Sequence, residues 1–554
     1  MKKNNRLLFM LVMMLTASLL LFGCSSNAGN TAGNASSPPG TEASPQPQSE
    51  GGAASGIVTM AIISTWDTLN IYNTSGNYGN AVADQLFERL VFREHNGNVV
   101  PRLAKSWAMA DDNLSMTFEL ADNVTWHDGE KLTAKDIVFT VQAMTTPAVN
   151  NYYRSAFNVL AGTDADGIAQ DPAKVGVEAV SDTSVKFTFK EPKAEETILN
   201  AFLSFLYVLP EHILGQGDPA SINTSGFWNA PVGAGPFKFV KQTAGESLQL
   251  EAFPDYYQGS PGFKTLVVRV VPAANLTAGL INGDIDVVAM GSIPLSDWDT
   301  VKNNQNIVAS SIPDYSYQYM LFNLSKDTFQ DSNVRTAFDK AINKTLIVDN
   351  LMKGEGGVAV GPMPKYHPYY NQSLVPNAYN PDEAKQMLET AGFDFKREYL
   401  LIVPQGNQVR EQSALLIQQD LAAIGVKVKI ETYDFATLLS MLKNGESDLG
   451  LLGGGSNIDP GESSVIMKPG DSRNYSLLKD SKWYDIAAKG FSLYDFDQRK
   501  AVYDEYQQAL VKDQPYIWLY HQNNLWAHSS RLTDVPMEDF VWMNFASWKW
   551  KIAK

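Results

Sequence analysis

Apolar residues recur along most of this chain with one of two periods, and the period changes from stretch to stretch. Leu114, Met116, Phe118 and Leu120 alternate with Ser115, Thr117 and Glu119, which predicts a half-buried strand. Ile57 to Ile63 is a β-type run that ends at the polar loop Ser64-Thr65-Trp66-Asp67. Ser184–Phe189 and Leu266–Val271 read as further strands. Val82, Leu86 and Leu90 have helical spacing and predict a helix over 80–90. Thr133-Ala134-Lys135-Asp136, ahead of the apolar Ile137-Val138-Phe139, has the form of a capping box.

The second half changes character. Asn380-Pro381-Asp382-Glu383 combines an N-cap, a proline at the first helical position and an acid in the first turn. Ala384, Leu388 and Ala391 follow on one face, and Gly392 ends the helix. Leu400–Val403 is a strand. Ala414, Ile417, Leu421 and Ile424 form a helical stripe, and Val426, Val428 and Ile430 alternate. Asp434 caps a helix through Leu442, and Asp448–Leu452 is a strand again. This β-α-β-α-β order between 400 and 452 predicts an α/β class with a mainly parallel sheet and right-handed crossovers. Ligands of such sheets bind beyond the carboxyl ends of the strands. Those ends carry Pro404-Gln405-Gly406-Asn407 and Gly453-Gly454-Gly455-Ser456-Asn457.

The N-terminus is of another kind. Lys2, Lys3 and Arg6 precede an apolar run, Leu7 to Leu21, of about 15 residues, shorter than the ~20 a spanning helix needs. It reads as a secretion signal over 1–23. Leu21-Phe22-Gly23-Cys24 resembles the lipobox of bacterial lipoproteins, with Phe22 where a small residue is usual. That resemblance implies a lipidated Cys24. Residues 25–56 hold no aromatic residue and no Val, Ile, Leu or Met, so they cannot bury enough apolar surface to fold and read as a tether.

Composition narrows the functional classes. The chain has 554 residues, 44% of them apolar and 19% charged, which fits a globular protein of several domains. Its 60 acidic residues outnumber 44 basic ones, for a net charge of −16. That balance argues against a nucleic-acid binder. With one cysteine there is no internal disulfide framework and no cysteine-cluster metal site. No G-x-S-x-G elbow, Walker loop or H-E-x-x-H motif occurs, and Gly354-Glu355-Gly356-Gly357 follows a helix, not a strand. Asp164-Ala165-Asp166-Gly167 is a turn, short of a calcium loop, and the six histidines are scattered. No catalytic group, cofactor or metal is expected.

Several blocks together resemble the bacterial extracellular solute-binding proteins of family 5, the peptide- and nickel-type receptors of ABC importers. They include Leu86-Phe87-Glu88-Arg89-Leu90-Val91, Pro101-Arg102-Leu103-Ala104-Lys105-Ser106-Trp107 and Trp126-His127-Asp128-Gly129. Pro231-Val232-Gly233-Ala234-Gly235-Pro236-Phe237, Leu280–Asp286, Phe322-Asn323 with Asp331 and Val334–Phe338, and Tyr379-Asn380-Pro381 follow in the family's order. The resemblance implies a two-lobed periplasmic-binding-protein-like fold, type II in its large variant. Lobe I takes 57–300 plus 512–554, with a subdomain inserted at about 92–205, and lobe II takes 301–511. It also implies hinge closure around a solute, permease and ATPase subunits as partners, a monomer, and a lipid-anchored location on the outer side of the cell membrane.

The resemblance brings three segments to the cleft. Thr65, Trp66 and Asp67 contact the ligand backbone in relatives; Trp66 either stacks on the ligand or packs in the lobe core. Arg410, beside a helix N-terminus, makes an anion corner suited to a peptide carboxylate, or else is a solvated surface arginine. Gly454, Gly455, Ser456, Asn457 and Asp459 align with a segment whose first Asp pairs with the ligand ammonium in peptide-binding members. Ser456 stands in that place, so Asp67 supplies the charge or the ligand is not a peptide. The glycines leave room for a bulkier, carbohydrate-like solute. Tyr315, Tyr317 and Tyr319 share one strand face and suit core packing. An extracellular hydrolase and a sensory lipoprotein remain the competing classes.

Overall fold

A computed structural model describes residues 56–553 apart from 75–76, 95–96, 204–205, 457 and 538–542. The signal, Cys24 and the tether up to Ser55 lie outside the described residues. The alternating stretches form strands where expected: Ile57–Ile62, Ser115–Leu120, Ser184–Thr188 and Thr265–Val270. The helix Ala134–Thr145 starts on a complete capping box. Thr133 Oγ1 accepts from Lys135 N at 3.3 Å, and Asp136 Oδ2 accepts from Thr133 N at 2.8 Å. Helices Pro381–Thr390, Gln408–Ala423 and Phe435–Asn444 are each N-capped by the asparagine or aspartate ahead of them.

One helix stops early. It spans Asn77–Leu86 and does not reach Leu90. The Leu86 carbonyl, which would accept from residue 90 in a longer helix, accepts instead from Gly235 N at 2.9 Å. A Cβ at Gly233 would lie 1.7 Å from that same oxygen, so only glycine permits the approach. The Pro231–Phe237 turn thus ends the helix, and Leu90 enters the core from a loop.

His127 pins that turn. Its Nε2 donates to Gly235 O at 2.9 Å, and its Nδ1 accepts from Gly233 N at 3.1 Å. Only the neutral ring can donate at one nitrogen and accept at the other. Burial pulls its pKa down to about 4, and the nearby Lys238 pulls the same way.

The main sheet has 12 strands among the described residues. Lys427–Tyr433, Glu398–Pro404 and Leu449–Gly455 run parallel at one end. Ser316–Phe322 pairs antiparallel with Leu449–Gly455, and the long strand Tyr516–Ser529 pairs antiparallel with Ser316–Phe322. Val287–Met290, Ile57–Ile62, Thr265–Val270, Ser247–Ala252 and Phe237–Thr243 complete the order. The parallel sheet expected between 400 and 452 is present as the first three of these strands, and it forms one end of a larger mixed sheet. The parallel units are real, but the strands that join them arrive from distant parts of the chain. A separate four-stranded antiparallel sheet holds Ala104–Met109, Ser115–Leu120, Ser184–Thr188 and Val177–Ser181.

The fold is α/β and two-lobed, and its apolar residues gather accordingly. One large core includes Val58, Leu86, Phe118, Trp126, Leu266 and Trp550. Another includes Tyr317, Phe338, Leu401, Leu421, Tyr503 and Trp518. The chain leaves the first side after Ile312 and enters the second core at Tyr317; it returns between Tyr520 and Leu525.

The neutral His127 gives stability a defined pH dependence. Its unfolded-state value is the ordinary 6.5, and its folded value is about 4. In that window the unfolded chain binds the extra proton, so His127's contribution is complete above pH 6.5 and is lost as pH falls toward 4. Denaturant titrations should show a loss of about 3 kcal/mol from His127 across that window, and His127→Gln should remove that share of the slope.

Candidate functional site

Arg410 lies in the first turn of helix Gln408–Ala423, where Asn407 Oδ1 caps its backbone N–H at 3.0 Å. The guanidinium turns onto the sheet. Nε and Nη2 both donate to Gln318 Oε1, at 2.9 and 2.7 Å. Arg410 forms no ion pair among the described residues. Two other buried arginines differ: Arg102 meets Glu88 at 2.9 Å, and Arg499 meets Asp459 at 2.7 Å. Arg335 is held by the carbonyls of Phe329, Gln330, Asp513 and Gln514. Burial lowers the Arg410 pKa, and only the phenols of Tyr520 and Tyr319 oppose it. This is a positive charge held in place by a neutral amide, with its attraction for an anion unspent.

The glycines beside it do not leave an open space. Gly453 faces Gln318 across the sheet, and a Cβ there would sit 2.6 Å from Gln318 Nε2 and 2.7 Å from Arg410 Nη2. Gly454 faces Tyr317, and a Cβ there would sit 2.7 Å from its hydroxyl and its ring carbon Cζ. The expectation that these glycines make room for a bulky solute is corrected. At 453 and 454 the room is filled by the chain's own side chains. Of the three, only Gly455 has nothing within 4 Å of the point a Cβ would occupy. Tyr317 and Tyr319 pack with Trp518 and Tyr516, ring centroids 5.0 and 5.1 Å apart for the closest pairs.

Ser456 continues the strand by donating its N–H to Tyr315 O at 2.8 Å. Its side chain is 8% exposed, and its hydroxyl has no hydrogen-bond partner among the described residues. Asn457 lies outside the described residues. Asp459 is spent within the protein: it caps Gly461 N at 3.0 Å, accepts from Tyr503 Oη at 2.8 Å and pairs with Arg499. Arg499, only 2% exposed, also reaches Glu196 at 3.1 Å, and Tyr369 Oη donates to the same carboxylate. This cluster ties residues 196–197 to 459–503. A cavity of ≈ 420 Å³ lies beside it, lined in part by Trp107, Glu196, Asn200, Ile458 and Phe496, away from Arg410.

The first predicted segment is placed apart from these. Thr65 is exposed, and its hydroxyl donates to Trp66 O at 3.0 Å. Trp66 is 7% exposed and belongs to the first core, with Nε1 donating to Gln242 Oε1 at 3.4 Å. Its indole packs in the lobe core. Asp67 Oδ1 accepts from Thr74 Oγ1 at 2.7 Å and Thr68 N at 3.0 Å. No hydrogen bond among the described residues joins 65–67 to Arg410 or to 453–459. The sequence did not single out Gln318 or the Glu196–Arg499 contact. Gln318 carried one signal, a polar residue between two alternating tyrosines. The Glu196–Arg499 pair carried none, because its members lie in unrelated stretches.

The two lobes, the mixed sheet and a cation set at strand ends define a solute-binding receptor. The chain belongs to the bacterial extracellular solute-binding proteins, family 5, whose model matches residues 98–476. Members of this family are binding proteins, not enzymes. The chain is 27% identical over 580 aligned positions to an oligopeptide-binding protein, AppA, of Bacillus subtilis, with all of both chains covered. It is 28% identical to heme-binding protein A of Haemophilus influenzae, covering 80% of this chain and 83% of that one. The solved structure of the Bacillus subtilis AppA with a nonapeptide superposes with a TM-score of 0.67, covering 90% of this chain and 99% of that one. Among the described residues no helix is long and apolar enough to cross a membrane.

The two glycine contacts separate binding from stability. Gly454→Ala drives a methyl group into the fixed Tyr317 ring and should lower unfolding free energy by about 1–3 kcal/mol. Gly453→Ala meets only the ends of flexible side chains. It should change stability by less than about 1 kcal/mol while displacing Arg410 and weakening ligand binding. Denaturant titration and calorimetric binding on the two variants check both.

Proposed function

We propose that this chain is the extracytoplasmic receptor of an ABC importer, and that it captures peptides between its lobes and delivers them to a membrane permease. The observation that carries the reading is Arg410, a partly buried guanidinium held by Gln318 and matched by no carboxylate among the described residues. A peptide's terminal carboxylate is the complement such a group lacks. The full-length likeness to an oligopeptide-binding protein supports the same ligand class. Closure bends the chain where it passes between the cores, near 312–317 and 520–525. The ligand gains its contacts only in the closed form, and that difference drives the closure.

The membrane attachment belongs to the same reading. Cys24 carries the lipid, and the stretch to residue 56 is the tether. Two or three acyl chains, at about 0.8 kcal/mol per buried CH₂, hold the protein stably on the bilayer. Cys24→Ala should move the protein from the membrane fraction to the medium, as immunoblotting of the two fractions would show. Retention of the variant on the membrane would overturn the anchor.

The ligand is tested by thermal unfolding of the purified protein against peptides of two to nine residues, oligosaccharides and haem. Ligand at a hundred times its dissociation constant adds about 2.7 kcal/mol to the folded state, a shift of a few degrees in a protein of this size. Peptides should give the shift, and Arg410→Met should weaken their binding by about ten- to a hundredfold. That is the loss of a charge-assisted contact worth about 1.5–3 kcal/mol. A shift with sugars or haem alone would replace the peptide by that solute.

A further inference from the structure

The Glu196–Arg499–Asp459 cluster joins the two sides of the molecule away from the strands that connect them. Glu196 belongs to a helical stretch whose Ile198, Leu199 and Phe202 pack in the first core. Its partners belong to the second side. Arg499 and Tyr503 lie on helix Phe496–Asp513, Asp459 caps helix Pro460–Ser463, and Tyr369 and Tyr503 are in the second core. Thr197 Oγ1 also reaches Asp459 Oδ2 across the seam, at 3.4 Å. The chain passes between the cores near 312–317 and 520–525, so opening at those crossings parts this cluster. Arg499 is shared unequally. It meets Asp459 at 2.7 Å, whereas its Nε lies 3.1 Å from Glu196 Oε1 without a well-aligned hydrogen bond.

We propose that closure of the lobes takes up a proton at Glu196, so that this receptor holds its ligand more tightly as the pH falls. The proposal rests on the reading of the chain as a receptor that closes on its ligand. With the lobes in contact, as here, two carboxylates converge on one guanidinium. If Glu196 is ionised the cluster holds an unbalanced negative charge; if it is protonated, Arg499 and Asp459 balance. When the lobes open, Asp459 keeps Arg499 matched and Glu196 returns to water. Burial raises the Glu196 carboxyl above its usual range with the lobes in contact; Tyr369 and Arg499 oppose that, and Asp459 adds to it. Glu195, beside it on the same helix, is exposed and accepts from Trp107 Nε1 at 3.0 Å. His367, on the Tyr369 segment, has its ring 6.2 Å from that of Tyr369. Glu196 also lines the adjoining cavity of ≈ 420 Å³, which gives a solvent proton a path to it. The closed form therefore binds the proton more strongly. Its advantage is complete below the ordinary glutamate value and is lost as pH rises through the raised one.

The test is calorimetric binding of mixed-sequence tripeptide and nonapeptide pools to the purified protein at pH 7 and pH 5, each in two buffers of different ionisation enthalpy. Affinity should be about threefold or more tighter at pH 5, with net proton uptake on binding. Glu196→Gln keeps the shape of the protonated acid. It should bind at pH 7 as the wild type does at pH 5, and it should lose the uptake that Glu196 supplies. Subtracting the variant also removes what the ligand's own groups and the histidines contribute. Equal pH responses and equal uptake in the two proteins overturn the proposal and leave the peptide reading standing. Failure of both pools at both pH values overturns the peptide reading. Small-angle scattering of the ligand-free proteins then decides the proposal: the radius of gyration should fall from pH 7 to pH 5 in the wild type and not in the variant, and matching curves overturn it. If Glu196→Gln does not fold, wild-type binding without proton uptake overturns the proposal.

Discussion

The 14-residue strand Tyr516–Ser529 is hydrogen-bonded to elements of both lobes, and this shared backbone constrains everything else. Its first part pairs with Ser316–Phe322 and Gly356–Val358; its second part pairs with Ile307–Pro313 and Val287–Met290. Tyr516–Tyr520 fill the second core with aromatic rings, while Leu525, Trp526 and Ala527 are buried on the other side. The polar Gln522-Asn523-Asn524 falls between them, where neither core needs an apolar side chain. A strand that long cannot slip by one residue without turning both buried faces to solvent. The register of Ser316–Phe322 is therefore fixed, and with it the position of Gln318. From Gln318 the guanidinium of Arg410 is set.

The treatment of arginine shows where the molecule keeps charge in reserve. Burying a cation costs several kcal/mol unless it is matched. Arg102 is matched by Glu88, Arg499 by Asp459 and Glu196, and Arg335 by main-chain carbonyls gathered at the end of helix Phe496–Asp513. Each of these spends its charge on holding the fold. Arg335 has four neutral carbonyls around it, whereas Arg410 has the single side-chain oxygen of Gln318. Gln318 orients the guanidinium plane by two bonds to one oxygen but leaves its net charge intact. Such an arrangement orients the cation without neutralising it.

How much of this was legible in the sequence depends on whether the cause was local. Caps at Thr133, Asn380, Asn407 and Asp434 act within a few residues, so the helices they begin could be read from spacing alone. The helix that stops at Leu86 could not, because its terminator is the glycine turn at 233–235, far along the chain. The parallel unit between 398 and 455 was visible in its alternation of periods. The mixed sheet was not, because strands 316–322 and 516–529 carry no mark of their partners. Arg410 was visible as a cation by a helix start, and Gln318 as an odd polar residue among tyrosines. That Gly453 and Gly454 serve Gln318 and Tyr317 needed the cross-strand register.

The run from Leu449 to Pro460 gathers these constraints into one stretch of backbone. Its first residues are core strand and share the register of Ser316–Phe322. Gly453 and Gly454 are bare because side chains from the neighbouring strand cross over them. Ser456 is the last residue tied to that strand, through Tyr315 O. Three residues later Asp459 caps a short helix and joins the Arg499–Glu196 cluster. The ends of this stretch are thus fixed by two different kinds of force, ladder hydrogen bonds on one side and a buried ion pair on the other. Ser456, tied by its own N–H to Tyr315 O, keeps the strand register and faces the side of Tyr315 and Tyr317, away from Gln318 and Arg410. An unpartnered buried hydroxyl costs about 1–3 kcal/mol. The ladder bonds on one side and the ion pair on the other bear that cost, because neither depends on the serine side chain.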